Sequence, residues 1–321
     1  MPAFTVSRTA QIKSDPETVF AILSDFATWK TWSPWLLTDK DAKVTLQGDP
    51  TAVGGGYSWD GPVVGAGEME HQDLHRPTAA QSIGTMHAQL RFTRPWRSQS
   101  KIHFEVKKSR DEDGQEVTRV RWEMQGSLPF LMFWMKSMMV NVLSMDFDRG
   151  LRMLKELIET GDVASQTVVN GIAQSPPYVI VGKSGRSTLA DIGSSMDDTF
   201  KQVHQSLEAS GVATDGQWLS VYDDMDLKTK TLSYTSGMVV DEGTATPPGL
   251  IARSLPDFSA MHVTHTGRYE HLGNAWAAAY QNLRACKRKV NKKLPGVELY
   301  ANSPENTPPE ALVTQLYVPL K

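Results

Sequence analysis

The sequence has a single cysteine, Cys286, which excludes an internal disulfide framework and any zinc site built from several cysteines. It also lacks an excess of either charge, since 33 Lys and Arg against 36 Asp and Glu give a formal net charge of −3. Net charge alone therefore predicts no binding to nucleic acid. The eight histidines show no metal-ligand spacing, and we find no phosphate-binding, dinucleotide-binding or serine-nucleophile motif. We predict neither a metal nor a cofactor.

Long apolar runs are missing as well. The first residues contain no apolar signal-peptide core, and the most apolar stretch, residues 128–145, is interrupted by Lys136 and by three other polar residues. These features predict a cytoplasmic protein without membrane insertion.

The length of 321 residues favours two domains, at about 100–200 residues each. Seven of the nine tryptophans lie before residue 135, and small polar residues follow Thr160. We place the domains at residues 1–160 and 167–321, with a linker at about residues 161–170. The expected fold class is α+β.

The first segment carries the pattern of a sheet wrapped around a helix. An alternating strand comes first, and Asp15 and Pro16 then mark the start of a helix. Several strands separated by glycine turns follow. A long helix from about Phe130 to Glu159 closes the segment, with apolar residues spaced three and four apart.

Several short motifs of this segment, in this order, resemble the START-like SRPBCC superfamily, in particular its polyketide cyclase/dehydrase-type branch. They occupy residues 57–59, 65–69, 76–77, 90–95, 120–126 and 146–155. The resemblance implies a helix-grip fold with an apolar cavity between the sheet and the terminal helix. Our candidate ligand contacts there are Trp59, Glu68, Phe92, Trp122, Met132 and Met135. Core packing remains an equal alternative for the methionines, and a solvated strand face is the alternative for Glu68.

The second segment contains an internal repeat. The pattern V-x-x-S/T-G-R occurs at residues 181–186 and again at 263–268, and each copy leads into a one-faced amphipathic helix followed by two strand candidates. The repeated unit is therefore strand–helix–strand–strand. Two such units related by a pseudo-twofold axis leave a groove between their helices, where a small molecule can bind.

This layout, together with residues 266–269, 298–304 and 314–320, resembles the GyrI-like small-molecule-binding domain. The family commonly carries on its last strand a glutamate that holds cations or acts as an acid/base, and this sequence has Gln315 there. We therefore expect neither a preference for cations nor hydrolysis. The residues that we place in the groove are Trp218, Tyr222, Tyr269, Tyr300 and Gln315.

Six basic residues between Arg284 and Lys293 follow the second amphipathic helix. They indicate either a patch for nucleic acid or an acidic partner, or a solvated helix end. No helix-turn-helix segment precedes the repeat, so we expect no direct binding to nucleic acid.

Taken together, these patterns favour binding, sequestration or sensing of small hydrophobic molecules through two cavities. The alternative is a hydrolase or cyclase that acts on hydrophobic compounds, and a third possibility is an adaptor that docks a protein. The sequence does not identify catalytic residues, the ligand or an oligomeric state.

Overall fold

The chain was analysed as a computed structural model that describes residues 3–78, 81–128 and 130–321, except for the side chains of residues 130–132. The chain divides into two compact units, Met1–Val163 and Ala164–Lys321. Each unit has its own antiparallel sheet.

The first unit is a seven-stranded sheet in the order β1-β7-β6-β5-β4-β3-β2. Its strands are β1 (Ala3–Ile12), β2 (Lys43–Gln47), β3 (Gly56–Gly61), β4 (Gly65–His75), β5 (Ile83–Arg94), β6 (Ser98–Arg110) and β7 (Glu116–Ser127). Its α-helices are α1 (Pro16–Ser24), α2 (Trp29–Trp32) and α3 (Lys136–Thr160). Short 3-10 helices at Leu36–Thr38 and Phe130–Met135 follow α2 and precede α3.

Local sequence sets the limits of these helices. The Asp15 side chain accepts a hydrogen bond of 2.8 Å from the Thr18 backbone nitrogen, and Pro16 occupies the first turn of α1. Helix α3 ends at Gly161, whose φ of 89° lies in the left-handed region that glycine adopts without strain. The helix start at Asp15 and Pro16 is therefore confirmed.

Helix α3 packs along β1 and encloses a core of large aromatic side chains. The strands alternate between this core and the outer face: on β5, Met86 and Ala88 are buried, whereas His87 between them is exposed. The first unit has the predicted START-like arrangement of a sheet around a terminal helix.

The second unit is an eight-stranded sheet in the order β12-β9-β11-β10-β14-β15-β13-β8. Its strands are β8 (Ser165–Ser175), β9 (Tyr178–Thr188), β10 (Trp218–Asp226), β11 (Thr231–Val239), β12 (Ile251–Leu255), β13 (Phe258–Gly267), β14 (Gly296–Tyr300) and β15 (Val313–Pro319). Its helices are α4 (Ile192–Ala209) and α5 (Leu272–Ala285). The predicted repeat is present as β9-α4-β10-β11 and β13-α5-β14-β15, and the two copies meet where β10 pairs with β14.

The linker predicted at residues 161–170 is wrong for its second half. Strand β8 begins at Ser165 and pairs with β13 along its whole length, from Ser165 opposite Gly267 to Ser175 opposite Phe258. This edge strand is only half-buried on one face, so its small polar residues lack the strong alternation that identifies an inner strand.

None of the helices that the structure describes is both long and apolar enough to cross a membrane.

Candidate ligand-binding site

One face at the middle of the second sheet carries the candidate site, and we call this face the floor of the predicted groove. Strands β10 and β14 are antiparallel, with Trp218 opposite Tyr300, Ser220 opposite Glu298 and Tyr222 opposite Gly296. Paired residues in a sheet point to the same side, so these side chains share one face. Trp276 of α5 contacts this face, because its indole nitrogen lies 2.6 Å from a carboxylate oxygen of Glu298.

A buried carboxylate lies at the centre of this floor. Glu298 is 2% exposed. Its Oε2 accepts hydrogen bonds from the hydroxyls of Tyr222, at 2.7 Å, and Tyr300, at 2.9 Å, and its Oε1 accepts from Trp276 Nε1. Within the part of the chain that the structure describes, no lysine, arginine or histidine pairs with this carboxylate. The site therefore holds a buried acid without a counter-ion.

Burial dominates the protonation behaviour of the site. It raises the pKa of Glu298 above the ordinary value of 4.5, and the three hydrogen bonds offset only part of this effect. Burial also raises the pKa of Tyr222 and Tyr300, and the nearby carboxylate raises both further. Burial together with Glu298 raises the pKa of Tyr269 to about 12. All three phenols therefore remain protonated near neutral pH.

Aromatic rings from four elements surround the carboxylate. Phe200 of α4 meets both Trp218 and Tyr300 edge-on, with ring centroids 5.5 Å apart in each pair. Tyr269, in the short 3-10 helix Tyr269–His271 before α5, also meets Tyr300 edge-on at 5.5 Å. Such edge-to-face contacts fix the orientation of the rings and leave apolar surfaces around the acid.

A glycine allows Trp276 to approach the floor. A Cβ atom added to Gly296 would lie 2.5 Å from Cη2 of Trp276, closer than packed atoms can come. Trp276 also meets Tyr222 edge-on, with centroids 5.3 Å apart. Any larger residue at position 296 would therefore displace the indole that donates to Glu298.

The structure brings four of the five predicted groove residues together. Trp218, Tyr222 and Tyr300 lie on the floor, and Tyr269 contacts Tyr300 at its edge. Two of them, Tyr222 and Tyr300, donate to Glu298, a carboxylate that was not among the predicted site residues.

The predicted placement of Gln315 beside Tyr300 is wrong. Gln315 pairs with Leu299, while Tyr300 pairs with Thr314, so Gln315 and Tyr300 point to opposite faces of the sheet. On its own face, Oε1 of Gln315 accepts hydrogen bonds from His262 Nε2 at 2.6 Å and Thr264 Oγ1 at 2.9 Å.

The error about Gln315 concerns the face of the sheet on which the candidate site lies. Leu316 and Val318 do pack under α5, as predicted, but Glu298 and Tyr300 lie on that same helix-covered face, because Glu298 pairs with Leu316. The expectation of no cation preference rested on Gln315 alone and did not take into account the Glu298 carboxylate on the helix-covered face. A usable signal was present in the sequence: Glu298 and Tyr300 are two residues apart on a strand and must share a face.

In the first unit, Trp122 belongs to a filled core. Its ring stacks on Phe147 at 4.0 Å and on Phe104 at 5.0 Å, and it meets Trp29 and Trp32 edge-on. It is 1% exposed, and its indole nitrogen is buried without a hydrogen-bond partner. The interior around Trp122 is occupied by side chains.

The other predicted residues of the first unit are more dispersed. Trp59 is buried and meets half-buried Phe92 at 5.5 Å. Met135 is half-buried at the start of α3, and the Met132 side chain lies outside the described residues.

The predicted cavity role of Glu68 is wrong. Glu68 lies between Gly67, which pairs with Trp59, and buried Met69, so its side chain points to the outer face. There it forms a 3.1 Å ion pair with Arg91.

An open cleft of about 390 Å³ lies elsewhere on the first unit, and none of the predicted residues lines it. It is lined by Phe26, Ala27, Lys30, Val44, Thr45 and Leu46. Within the described ranges, no three His, Cys, Asp or Glu side chains are placed to hold a metal.

Family comparisons assign both units. Residues 3–159 match the family model of polyketide cyclase/dehydrase and lipid transport proteins, and residues 172–321 match the GyrI-like small-molecule-binding domain. The chain is therefore a small-molecule-binding protein of two domains. It joins a START-like domain of the polyketide cyclase/dehydrase type to a GyrI-like domain.

Several solved structures resemble parts of the chain. The C-terminal domain of EcmrR is 19% identical, with a TM-score of 0.39, over 49% of this chain and 98% of that one. SAV2435 bound to tetraphenylphosphonium is 14% identical, with a TM-score of 0.36, over 47% and 92%. The Aha1 dimer from Colwellia psychrerythraea is 16% identical, with a TM-score of 0.32, over 49% and 98%. A comparison with the curated proteins found no match.

Proposed function

We propose that the second unit binds lipophilic organic cations, with Glu298 supplying the negative charge. The observation that carries this proposal is the buried Glu298 carboxylate, which accepts hydrogen bonds from Tyr222, Tyr300 and Trp276 and has no counter-ion among the described residues. The biological outcome that we propose is sequestration or sensing of such compounds.

Burial of the unpaired Glu298 charge costs free energy. A carboxylate taken out of water loses hydration that hydrogen bonds restore only in part. A cation entering the groove compensates the charge, and the aromatic faces add a further attraction to it. Because three donors already occupy the carboxylate oxygens, the site favours cations that carry no N–H groups of their own.

Binding of tetraphenylphosphonium, measured by isothermal titration calorimetry, tests this proposal. We expect Glu298→Gln to weaken binding at least about tenfold, because a neutral amide removes the charge but keeps the size of the side chain. The matched control is Glu305→Gln, which neutralises an exposed glutamate of the same unit and should leave affinity unchanged. Equal affinity of wild type and Glu298→Gln would contradict the proposal, as would equal binding of neutral triphenylphosphine oxide.

Hydrolysis of strained electrophiles is a second candidate function for the same groove. The specific observation that favours it is the buried position of the Glu298 carboxyl among its hydrogen-bond donors. Burial raises its pKa, and a more basic carboxylate is a better proton acceptor from water. We expect any turnover of an epoxide by the wild type to be lost in Glu298→Gln and retained in Glu305→Gln. Absence of wild-type turnover would leave binding as the function of the groove.

For the first unit we propose binding of apolar ligands between the sheet and α3. The match to a family whose description includes lipid transport supports this proposal, as does the half-buried position of Met135 and Phe92. Because the interior around Trp122 is filled, we place the ligand away from it.

We expect Met135→Arg to reduce uptake of a hydrophobic fluorescent probe. The matched control is Met138→Arg, at an exposed position of the same helix, and an equal effect of both changes would contradict the proposed location.

A further inference from the structure

A cluster of unpaired positive charge follows α5 in the second unit. All five of its cationic side chains are exposed, and none forms an ion pair within the part of the chain that the structure describes. Other cations of the molecule, such as Arg91 and Arg253, are paired with carboxylates. We call this cluster the basic loop, and it consists of Lys287, Arg288, Lys289, Lys292 and Lys293.

The basic loop is an ordered part of the domain. The Asn291 backbone nitrogen donates to the Pro319 carbonyl at 2.9 Å, and the Lys321 nitrogen donates to the Lys289 carbonyl at 3.0 Å. Between these bonds, Val290 forms a bridge with Leu320. The fold therefore fixes the backbone that carries these charges, against their mutual repulsion.

The dipole of α5 does not account for this arrangement. The helix ends at Ala285, and the favourable field at a helix end extends only over about its last turn. Lys289, Lys292 and Lys293 lie beyond that turn along the chain. No acidic residue occurs between Glu270 and the buried Glu298, so the sequence offers these cations no local partner.

The composition of the loop indicates the kind of surface that it fits. Protein interfaces are enriched in aromatic residues and arginine and depleted of lysine, whereas four of the five cations here are lysines and no aromatic residue lies between Arg284 and Leu294. Proteins that bind single-stranded nucleic acids combine a basic groove with aromatic rings that stack on the bases, and this loop has no such ring. Duplex readers insert a helix or a strand pair into a groove, and these residues form a loop. Flexible lysines suit a fluid anionic surface, which demands no fixed geometry.

We propose that the basic loop attaches this protein reversibly to membranes that contain anionic lipids. Each cation near such a surface strengthens binding about fivefold, so removing three of them weakens it about 100-fold. The attraction is electrostatic and fades within a distance of about 8 Å at physiological ionic strength. Raising the salt concentration to 0.5 M, about three times the physiological level, therefore releases the protein. This proposal does not depend on which ligand either unit binds.

Co-sedimentation of the full chain with vesicles tests the proposal. We expect binding to vesicles of phosphatidylcholine with about one third phosphatidylglycerol, and no binding to pure phosphatidylcholine. The triple variant Lys289→Gln, Lys292→Gln and Lys293→Gln should lose about 100-fold in affinity. Its circular dichroism spectrum should match that of the wild type, because the three side chains are exposed.

A charge-matched control removes three exposed lysines elsewhere, through Lys40→Gln, Lys43→Gln and Lys228→Gln. This control should bind vesicles as the wild type does. The proposal is overturned if the wild type does not bind anionic vesicles, or if the two triple variants lose equal affinity. It is also overturned if a 20-base-pair DNA duplex, about two helical turns, binds the loop more tightly than the vesicles do.

Discussion

In the first unit the large aromatic side chains pack against one another, whereas in the second they surround a carboxylate. Trp122 stacks on Phe147 at 4.0 Å inside the first core. In the second unit, Tyr222 and Tyr300 direct their hydroxyls at Glu298. The same residue types therefore pack against each other in one unit and donate hydrogen bonds to a buried acid in the other.

This difference shows that aromatic richness alone does not identify a binding site. The first unit holds seven of the nine tryptophans, yet its described interior around Trp122 is filled. The second unit holds two, and one of them donates to a buried charge. A buried acid without a counter-ion is costly, so it distinguishes a site from a core more sharply than ring content does.

The largest effect that we expect comes from Trp122→Ala. Removing this buried, stacked ring should destabilise the first unit by about 3–5 kcal/mol, through lost apolar burial and the cavity left behind. Urea unfolding followed by circular dichroism measures this loss. Trp96→Ala, at a residue that is 41% exposed, is the control and should cost less than about 1 kcal/mol. A small loss for Trp122→Ala would mean that the first unit has room to rearrange around a ligand.

The contribution of His265 to the stability of the second unit should be lost in acid. Burial lowers its pKa from 6.5 to about 4, so the unfolded chain takes up a proton that the folded unit resists. This stabilisation is complete above pH 6.5 and is lost as the pH falls toward 4. The full difference corresponds to about 3 kcal/mol.

Urea unfolding at a series of pH values tests the role of His265. The slope between pH 6.5 and 4 should flatten in His265→Gln and persist in His204→Gln, where the histidine is half-buried on α4. An NMR titration of the His265 ring near pH 6.5 would contradict the prediction.

Glu298→Gln should stabilise the second unit at neutral pH. Because the folded pKa of Glu298 is raised, the folded state binds its proton more tightly than the unfolded chain does. The wild type therefore loses stability as the pH rises past 4.5, the ordinary value for this group. The advantage of the variant should appear at pH 7 and shrink below pH 4.5, as thermal unfolding would show. A variant that is less stable than wild type at pH 7 would mean that the carboxylate is well compensated.

Gln315→Ala should have a smaller effect, and on stability only. The change removes hydrogen bonds from His262 and Thr264 and should cost about 1 kcal/mol. Affinity for tetraphenylphosphonium should change less than about twofold, because Gln315 lies on the other face of the sheet from Glu298. A large loss of affinity would mean that the ligand contacts both faces.

Separation of the two units should have the smallest effect. We expect fragments 1–163 and 164–321, cut at the observed division, each to give dispersed amide signals and to unfold cooperatively. The reason is that each unit contains its own sheet and its own apolar clusters. An unfolded fragment would mean that the two units share a core.

Much of the fold could be predicted from local patterns. The repeated V-x-x-S/T-G-R motif and the two amphipathic helices predicted the duplicated second unit, and Asp15 with Pro16 located the start of α1. Strand β8 could not be recognised in this way, because an edge strand buries too little of its surface to impose a clear alternation. The paired helices likewise predicted a groove, but not which face of the sheet would form its floor.

By itself, the sequence determined the two families and the order of the elements. It also determined which residues of each strand share a face of the sheet. All of these depend on residues close together in the chain. Only the tertiary structure decided which of the two faces of each strand carries the candidate site. Glu298 and Trp276 lie on different elements, and their 2.6 Å contact follows from how α5 packs on β13, β8 and β15. The same packing turned Gln315 away. A site made by side chains from separate elements is defined by long-range packing, and local periodicity carries no information about that packing.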